Sequence, residues 1–380
     1  MSARASARAD DHERACAVAL SELPMMGPGR LRALLDRWSP SAAWRAVLAD
    51  RAGDDPRVAV ACGTDLVRVR AHWARAAARA DPSASLARTR DLGIAVHLLG
   101  EAAYPPELAD DVEAPVVCFV FGDEAKLSAA ARVAVIGTRS ATAAGLQTAR
   151  QLGRDLADAG VAVVSGLARG IDGAAHAGAL AVDGGVPIGV VGSGLDVPYP
   201  RANASLWAAV ARSGVLLSEA PPGAPPSAWR FPARNRMIAA LADVVVVVES
   251  RASGGSMLTV KEAIVRGRQV MAVPGSVASP ASDGTNQLIY EGCCPVRDAL
   301  DVLVALGLST ATRDRGASRR RPRPAGDDAR VLDLFAGRDP LDVETVARLA
   351  GLSLAETALA LDRLTSSGFV ERNGAWWQAR

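Results

Sequence analysis

The chain has 380 residues, enough for two or three domains, and its apolar share of 49% can fill a sizeable core. A formal net charge of +2 excludes a uniformly basic nucleic-acid coat, so any basic site has to be local. The five cysteines, Cys16, Cys62, Cys118, Cys293 and Cys294, form no C-x-x-C pair and no His/Cys set with metal-ligand spacing, so neither a disulfide framework nor a metal centre is expected.

Only two lysines occur, Lys126 and Lys261, and most of the many arginines read as solvated surface. The first 20 residues are broken by Asp10, Asp11, Glu13 and Arg14 and lack the apolar stretch of a signal peptide. The apolar run 244–248 is far too short to span a bilayer. These features predict a soluble, cytoplasmic protein with no contact to the membrane.

Residues 1–90 form a helical N-terminal domain by pattern, with Trp38, Trp44 and Trp73 as packing residues. The segment Leu23-Pro24-Met25-Met26-Gly27-Pro28-Gly29-Arg30-Leu31 places a Pro/Gly turn between two helical patterns, in the manner of a helix-hairpin-helix or SAM-like domain. Such a turn either offers its backbone N–H groups to phosphate or simply joins two helices. The second is the commoner outcome for so short a motif.

Residues 91–310 alternate short β-branched runs with helical stretches. Strands are predicted at 132–136, 161–165, 187–191, 215–218, 244–249 and 269–273, with an additional one at 116–121. Helices are predicted at 143–159, 171–182, 203–212, 233–241 and 256–266. This alternation implies an α/β domain, an extended Rossmann-like, doubly wound and mostly parallel sheet. The continuous valine run at 244–248 suits a central strand buried on both faces.

The Arg/Pro-rich stretch 313–324 lies in a linker spanning 311–326 by composition. Residues 327–380 read as three helices followed by a hairpin at Asn373-Gly374, the pattern of a winged helix-turn-helix domain. Its third helix carries Glu356, Thr357, Asp362 and Arg363. That is not a basic face, so a protein contact is as reasonable as reading a DNA groove.

In an open parallel sheet, ligands bind beyond the carboxyl ends of the strands. Three predicted loops there are rich in glycine and arginine: Gly137-Thr138-Arg139, then Ser165-Gly166 with Arg169-Gly170, then Phe231-Pro232-Ala233-Arg234-Asn235-Arg236. Glycines allow close backbone approach, and helix N-termini present free N–H donors, so both suit phosphate. Arg234 and Arg236 would fall near the positive end of a helix dipole, a conflict that a bound anion resolves. Trp229 and Phe231 beside them are candidates to stack on a base. The alternative is that the arginines pair with neighbouring carboxylates. Lys261 either reaches the same crevice or sits as a solvated helix residue.

Asp172 and His176, at i and i+4, are expected to share a helix-stabilising hydrogen bond rather than act as an acid–base pair. No P-loop lysine motif, H-E-x-x-H or G-x-S-x-G element occurs, and Gly189 to Gly194 lacks the full frame of a dinucleotide fingerprint. No catalytic residue, cofactor or metal is therefore assigned.

Taken in order, the segments Tyr104-Pro105-Pro106-Glu107-Leu108, Val135-Ile136-Gly137-Thr138-Arg139 and Val164-Ser165-Gly166-Leu167-Ala168-Arg169-Gly170-Ile171-Asp172 resemble the DprA/Smf (DNA-processing protein A) family. So do Gly194-Leu195-Asp196 with Tyr199-Pro200, Leu217-Ser218-Glu219, Phe231-Pro232 with Arg234-Asn235-Arg236, Ala272-Val273-Pro274-Gly275 and Gly284-Thr285-Asn286 with Leu288-Ile289. The resemblance implies a homodimeric, non-enzymatic protein that binds single-stranded DNA and loads the RecA recombinase during natural transformation. It carries DNA contact to Arg139, to the loop from Ser165 to Gly170, and to Phe231, Arg234, Asn235, Arg236 and Lys261. Gly254-Gly255-Ser256 departs from the family's usual Ser-Gly-Ser. Two other functions remain to be separated from this one. One is a phosphoribohydrolase of the lysine-decarboxylase-like type, using Gly254-Gly255 with Thr259 and Glu262. The other is a transcription regulator using the C-terminal domain.

Overall fold

A computed structural model of the protein describes residues 2–308, 324–335, 340–367 and 369–379; the arginine-rich stretch 313–323 lies outside the described residues. The described residues up to 308 form one compact unit and those from 324 onward a second.

The first unit opens with six helices, α1 (Ser2–Ser21), α2 (Pro28–Leu35), α3 (Pro40–Leu48), α4 (Pro56–Cys62), α5 (Leu66–Ala77) and α6 (Pro82–Asp91). Proline opens α2, α3, α4 and α6, where its missing N–H would have had no helical partner. Ser39, Asp55 and Asp81 cap the last three by accepting first-turn N–H groups. The predicted hairpin between α1 and α2 is an internal joint. The Trp73 indole N–H donates to the Pro24 carbonyl at 3.0 Å, and a Cβ at Gly27 would lie 3.6 Å from the Trp229 ring.

The sheet follows, built from β1 (Ala95–Leu98), β2 (Val117–Gly122), β3 (Arg132–Ile136), β4 (Ala162–Ser165), β5 (Pro187–Val190), β6 (Val215–Ser218), β7 (Val244–Val247), β8 (Gln269–Ala272) and β9 (Cys294–Pro295). A short α7 (Pro106–Ala109) precedes β2. Helices α8 (Ala143–Asp158), α9 (Ile171–Ala179), α10 (Ala204–Ser213), α11 (Arg230–Leu241), α12 (Ser256–Val265), α13 (Asp283–Tyr290) and α14 (Ala299–Ala305) make the connections and the exit. The strand order is β1-β2-β6-β5-β4-β3-β7-β8-β9. Every neighbouring pair from β6 to β9 is parallel, while β1 and β2 pair antiparallel at one edge. The expected doubly wound α/β sheet is thus the observed one, with β1 and β9 as short edge strands that the sequence reading passed over.

Alternation along each strand sends its side chains to two covered faces. Ala134, Ile136, Val245 and Val247 pack with α11 and α12 on one face. Val133, Val135, Val244 and Val246 pack with α8, α9 and α14 on the other. Toward β2 and β6 that second face is covered by α10 and by the helical segment, whose Leu20, Leu34 and Trp73 share a core with Phe119 and Leu216. Residues 1–90 are therefore built onto the sheet through a common apolar core. No described helix is long and apolar enough to cross a membrane.

The second unit contains α15 (Gly326–Asp333), β10 (Leu341–Asp342), α16 (Val343–Ala350), α17 (Leu354–Ser366), β11 (Val370–Asn373) and β12 (Trp376–Ala379). Its strands form an antiparallel sheet in the order β10-β12-β11 around a core of Val331, Phe335, Val346, Leu361 and Leu364. A capping box between Ser353 and Glu356 opens α17.

Candidate nucleic-acid interface

From β3 the chain winds through β4 and β5 to β6 on one side, then through β7 to β8 and β9 on the other. The switch point therefore lies between β3 and β7, and the crevice outside their carboxyl ends is where an open sheet of this kind takes a ligand. The loops after β3, β4 and β7 and the N-terminus of α11 meet there, because α11 returns antiparallel to β7. They bound a cleft of about 710 Å³ and a smaller neighbour of about 290 Å³, which share Arg139, Ala168, Tyr199, Phe231 and Arg234.

Each loop is held from behind. The Thr138 N–H donates to the Glu249 carbonyl at 2.7 Å, and the Glu249 carboxylate accepts the Thr142 N–H at 2.9 Å and its hydroxyl at 2.5 Å. The Asp172 carboxylate, buried, accepts the Gly166 N–H at 3.1 Å. Gly170 holds φ at +80°, and a Cβ there would lie 2.3 Å from the Thr138 carbonyl oxygen. That near contact locks the β4 loop against the β3 loop and admits only glycine.

Electrostatics at the rim are one-sided. The two clefts are lined by Arg139, Arg169, Arg234 and Arg251, with Asp172 as the sole carboxylate among the described lining residues. Arg139, Arg169 and Arg251 are exposed, and none forms a salt bridge among the described residues. Asp172 is fully enclosed, and burial above all raises its pKa, against the pull of Arg234 and the Gly166 and Ala168 backbone. The rim is therefore cationic toward solvent. The Arg139 guanidinium lies 5.2 Å from the Phe231 ring centroid, and Phe231 stacks on Tyr199 with centroids 5.4 Å apart and planes at 29°. A cation and two aromatic faces thus share one wall, the combination that takes a phosphate and a base together.

The predicted residues divide into three groups. Thr138, Arg139, Arg169, Phe231 and Asn235 line the crevice, with Gly137 and Gly166 contributing backbone. Ser165 and Gly170 lie behind it: the buried Ser165 hydroxyl donates to the Val135 carbonyl at 2.7 Å, which fixes the loop. Arg234 forms the floor. It is 7% exposed and donates to the carbonyls of Gly166, at 2.9 Å, and Val190, so it ties two strand ends together; burial pushes its pKa down to about 10.

Two residues are corrections. Arg236 lies outside both clefts, paired with the largely buried Glu219 and donating to the Glu113 carbonyl at 2.6 Å. The physical reason is that α11 begins at Arg230, three residues earlier than expected, which carries Arg236 into the second turn and inward. Lys261 projects from α12 as an exposed residue that lines neither cleft. The Asp172–His176 hydrogen bond is also absent. Asp172 turns to the Gly166 N–H, while neither ring nitrogen of the fully buried His176 has a hydrogen-bond partner of ordinary geometry. Burial foremost pushes the His176 pKa down to about 4.

Trp229 faces the α1–α2 hairpin, and its predicted place in the crevice is taken by Tyr199. Tyr199 and Arg251 were missed. Arg251 follows a predicted strand at its carboxyl end, a signal already in the sequence; Tyr199 enters from the β5–α10 connection, where Tyr199-Pro200 marked the family resemblance but not a place in the crevice.

Of the residues the phosphoribohydrolase alternative would use, Gly254, Gly255 and Thr259 line the crevice, whereas Glu262 does not. Glu262 pairs with Arg266 at 2.5 Å, away from the crevice, and no cluster of metal-ligating side chains occurs among the described residues. In the second unit, Arg363 is bound to Asp328 at 2.6 Å, leaving Glu356 and Asp362 exposed on α17.

Fold and rim together define a Rossmann-like α/β protein with an arginine-lined crevice at the switch point of its sheet. A family model described as DNA recombination-mediator protein A matches residues 95–307. DNA processing protein DprA of Bacillus subtilis is 38% identical over 221 residues, 58% of this chain and 74% of that protein. Protein Smf of Escherichia coli is 36% identical over 272 residues, 70% and 72% of the two chains. The X-ray structure of DNA processing protein A from Streptococcus pneumoniae superposes with a TM-score of 0.63 at 32% identity, covering 77% of this chain and 97% of that one. The chain belongs to the DNA recombination-mediator protein A (DprA/Smf) family, a family of DNA-binding mediators rather than enzymes.

Proposed function

We propose that the crevice binds the sugar–phosphate backbone of single-stranded DNA and that the protein, in the cytoplasm, protects incoming strands and loads RecA onto them during natural transformation and homologous recombination. One observation carries the DNA reading: three exposed arginines without carboxylate partners and a Tyr199–Phe231 aromatic wall converge on a single rim. Such a site favours single strands, whose bases are free to stack, over duplex. The RecA step rests on family membership.

A homodimer is the proposed assembly. Ile264, Val265 and Tyr290 are 62%, 74% and 87% exposed on α12 and α13, both of which pack on β8 near one sheet edge. That apolar surface suits a second copy. The second unit is assigned as a winged helix whose α17 face, lacking free cations, contacts protein rather than a DNA groove. Gel shifts comparing oligo(dT) with duplex of equal length, with and without RecA, test the function. Tighter binding of the single strand and a ternary species with RecA are expected; preference for duplex would overturn the reading.

A further inference from the structure

A second cationic cleft lies on the helical segment, away from the rim. It measures about 590 Å³ and is lined by Arg37, Trp38, Arg45, Arg51, Asp54 and Asp55 among others, and it shares no lining residue with either rim cleft. Six other arginines of this segment, Arg14, Arg30, Arg68, Arg70, Arg88 and Arg90, are paired with carboxylates. Both carboxylates of the cleft are likewise engaged. Asp55 caps α4 and accepts from Arg37 at 3.1 Å, and Asp54 accepts from Arg70 at 2.9 Å. Arg45 and Arg51 are exposed, and among the described residues neither side chain has a hydrogen-bond or carboxylate partner. The Arg37 guanidinium lies 5.2 Å from the centroid of the half-buried Trp38 ring. A planar cation on an indole gives a flat, polarised wall beside two uncommitted cations.

We propose that this cleft is a second nucleotide-binding site, taking phosphate on Arg45 and Arg51 and a base against the Arg37–Trp38 wall. The ligand chemistry is a phosphorylated nucleobase, supplied either by one unit of a DNA strand or by a free nucleotide. Two such sites on one chain let it hold separate stretches of strand at once.

The test uses the full chain. The double variant Arg45→Glu/Arg51→Glu is compared with Arg75→Glu/Arg79→Glu, which makes the same charge change at exposed positions of the same segment outside the cleft. Binding of long oligo(dT) is followed across a salt series, and oligo(dT) carrying 5-bromodeoxyuridine is photo-cross-linked and mapped by mass spectrometry. The cleft variant should lose about tenfold in affinity and shallow the salt slope by roughly 1.4, about 0.7 for each of two phosphate contacts, with unchanged thermal melting. The control variant should lose clearly less, and a cross-link should map to the peptide holding Trp38. Protection of that cross-link by millimolar dTMP identifies a free nucleotide as a ligand; its persistence identifies the strand. Equal losses in both variants with no cross-link near Trp38 would overturn the proposal. The rim is judged separately by Arg139→Ala/Arg251→Ala: a variant that loses rim binding yet keeps the Trp38 cross-link leaves both sites standing, and one that binds as wild type condemns the rim alone.

Discussion

Arg139 and Arg236 look alike in the sequence and do different work in the fold, so replacing each with alanine separates binding from stability. Arg139 is exposed, has no carboxylate partner and faces the crevice. Its removal deletes one charge-assisted contact, worth about 1.5–3 kcal/mol, so affinity for oligo(dT) should fall roughly 10- to 150-fold. The slope of log K against log salt should become shallower by about 0.7. Folding loses only the contact with Phe231, about 0.5–1 kcal/mol for an exposed cation–π pair. Arg236 is 8% exposed and neutralises Glu219, whose pKa is already raised by burial against the pull of that arginine. Removing it leaves a buried carboxylate without its cation, a loss of about 3–5 kcal/mol. Melting should drop by roughly 10 °C, with an unchanged salt slope in whatever remains folded. Fluorescence anisotropy over a salt series and thermal melting by circular dichroism read both quantities. If Arg236→Ala melts like the wild type and binds with a shallower slope, or Arg139→Ala leaves the slope untouched, the assignment of roles is wrong.

Acid should weaken the fold through His176. Its folded-state pKa lies below the unfolded value, at about 4 against 6.5, so the neutral form is the one that fits. Its contribution is present above pH 6.5 and is lost as pH falls toward 4. Denaturant unfolding at pH 7 and pH 4.5 should show the wild type losing about 2–3 kcal/mol more than His176→Gln; equal losses would remove His176 from the account. Gly170→Ala should lower both stability and binding, because its Cβ would meet the Thr138 carbonyl at 2.3 Å in a backbone already at positive φ; a variant with wild-type melting and affinity would show that the loops move independently. A chain ending at residue 308 should keep most of the affinity and salt slope, since the rim lies wholly within the first unit; collapse of affinity would place the main contact in the later residues. Val265→Asp should shift sedimentation toward monomer, and an unchanged profile would move the dimer surface elsewhere.

Local pattern alone was enough for the strands of the sheet other than its two edges. A run such as Val244–Val247 has no polar face to present to water, so it is buried on both sides wherever it lies. The glycine at position 170 and the arginine at 139 were legible for a similar reason: each lies in the loop that follows a strand, and a parallel sheet gathers such loops at one end. The edge strands β1 and β9 were not legible: β9 is only two residues long, and His97 interrupts the apolar run of β1.

What the tertiary structure decided is which polar groups face water and which face one another. The partner of Arg236 is Glu219, 17 positions earlier, and its orientation depends on where α11 begins. Tyr199 joins Phe231 across 32 positions of chain, and Asp172 chose the Gly166 N–H over its helical neighbour His176. Periodicity records a residue's average exposure to water, because burial of apolar area is additive along the chain. Hydrogen bonds and ion pairs are directional and act over a few ångströms, so they are fixed only once the chain has brought distant segments together.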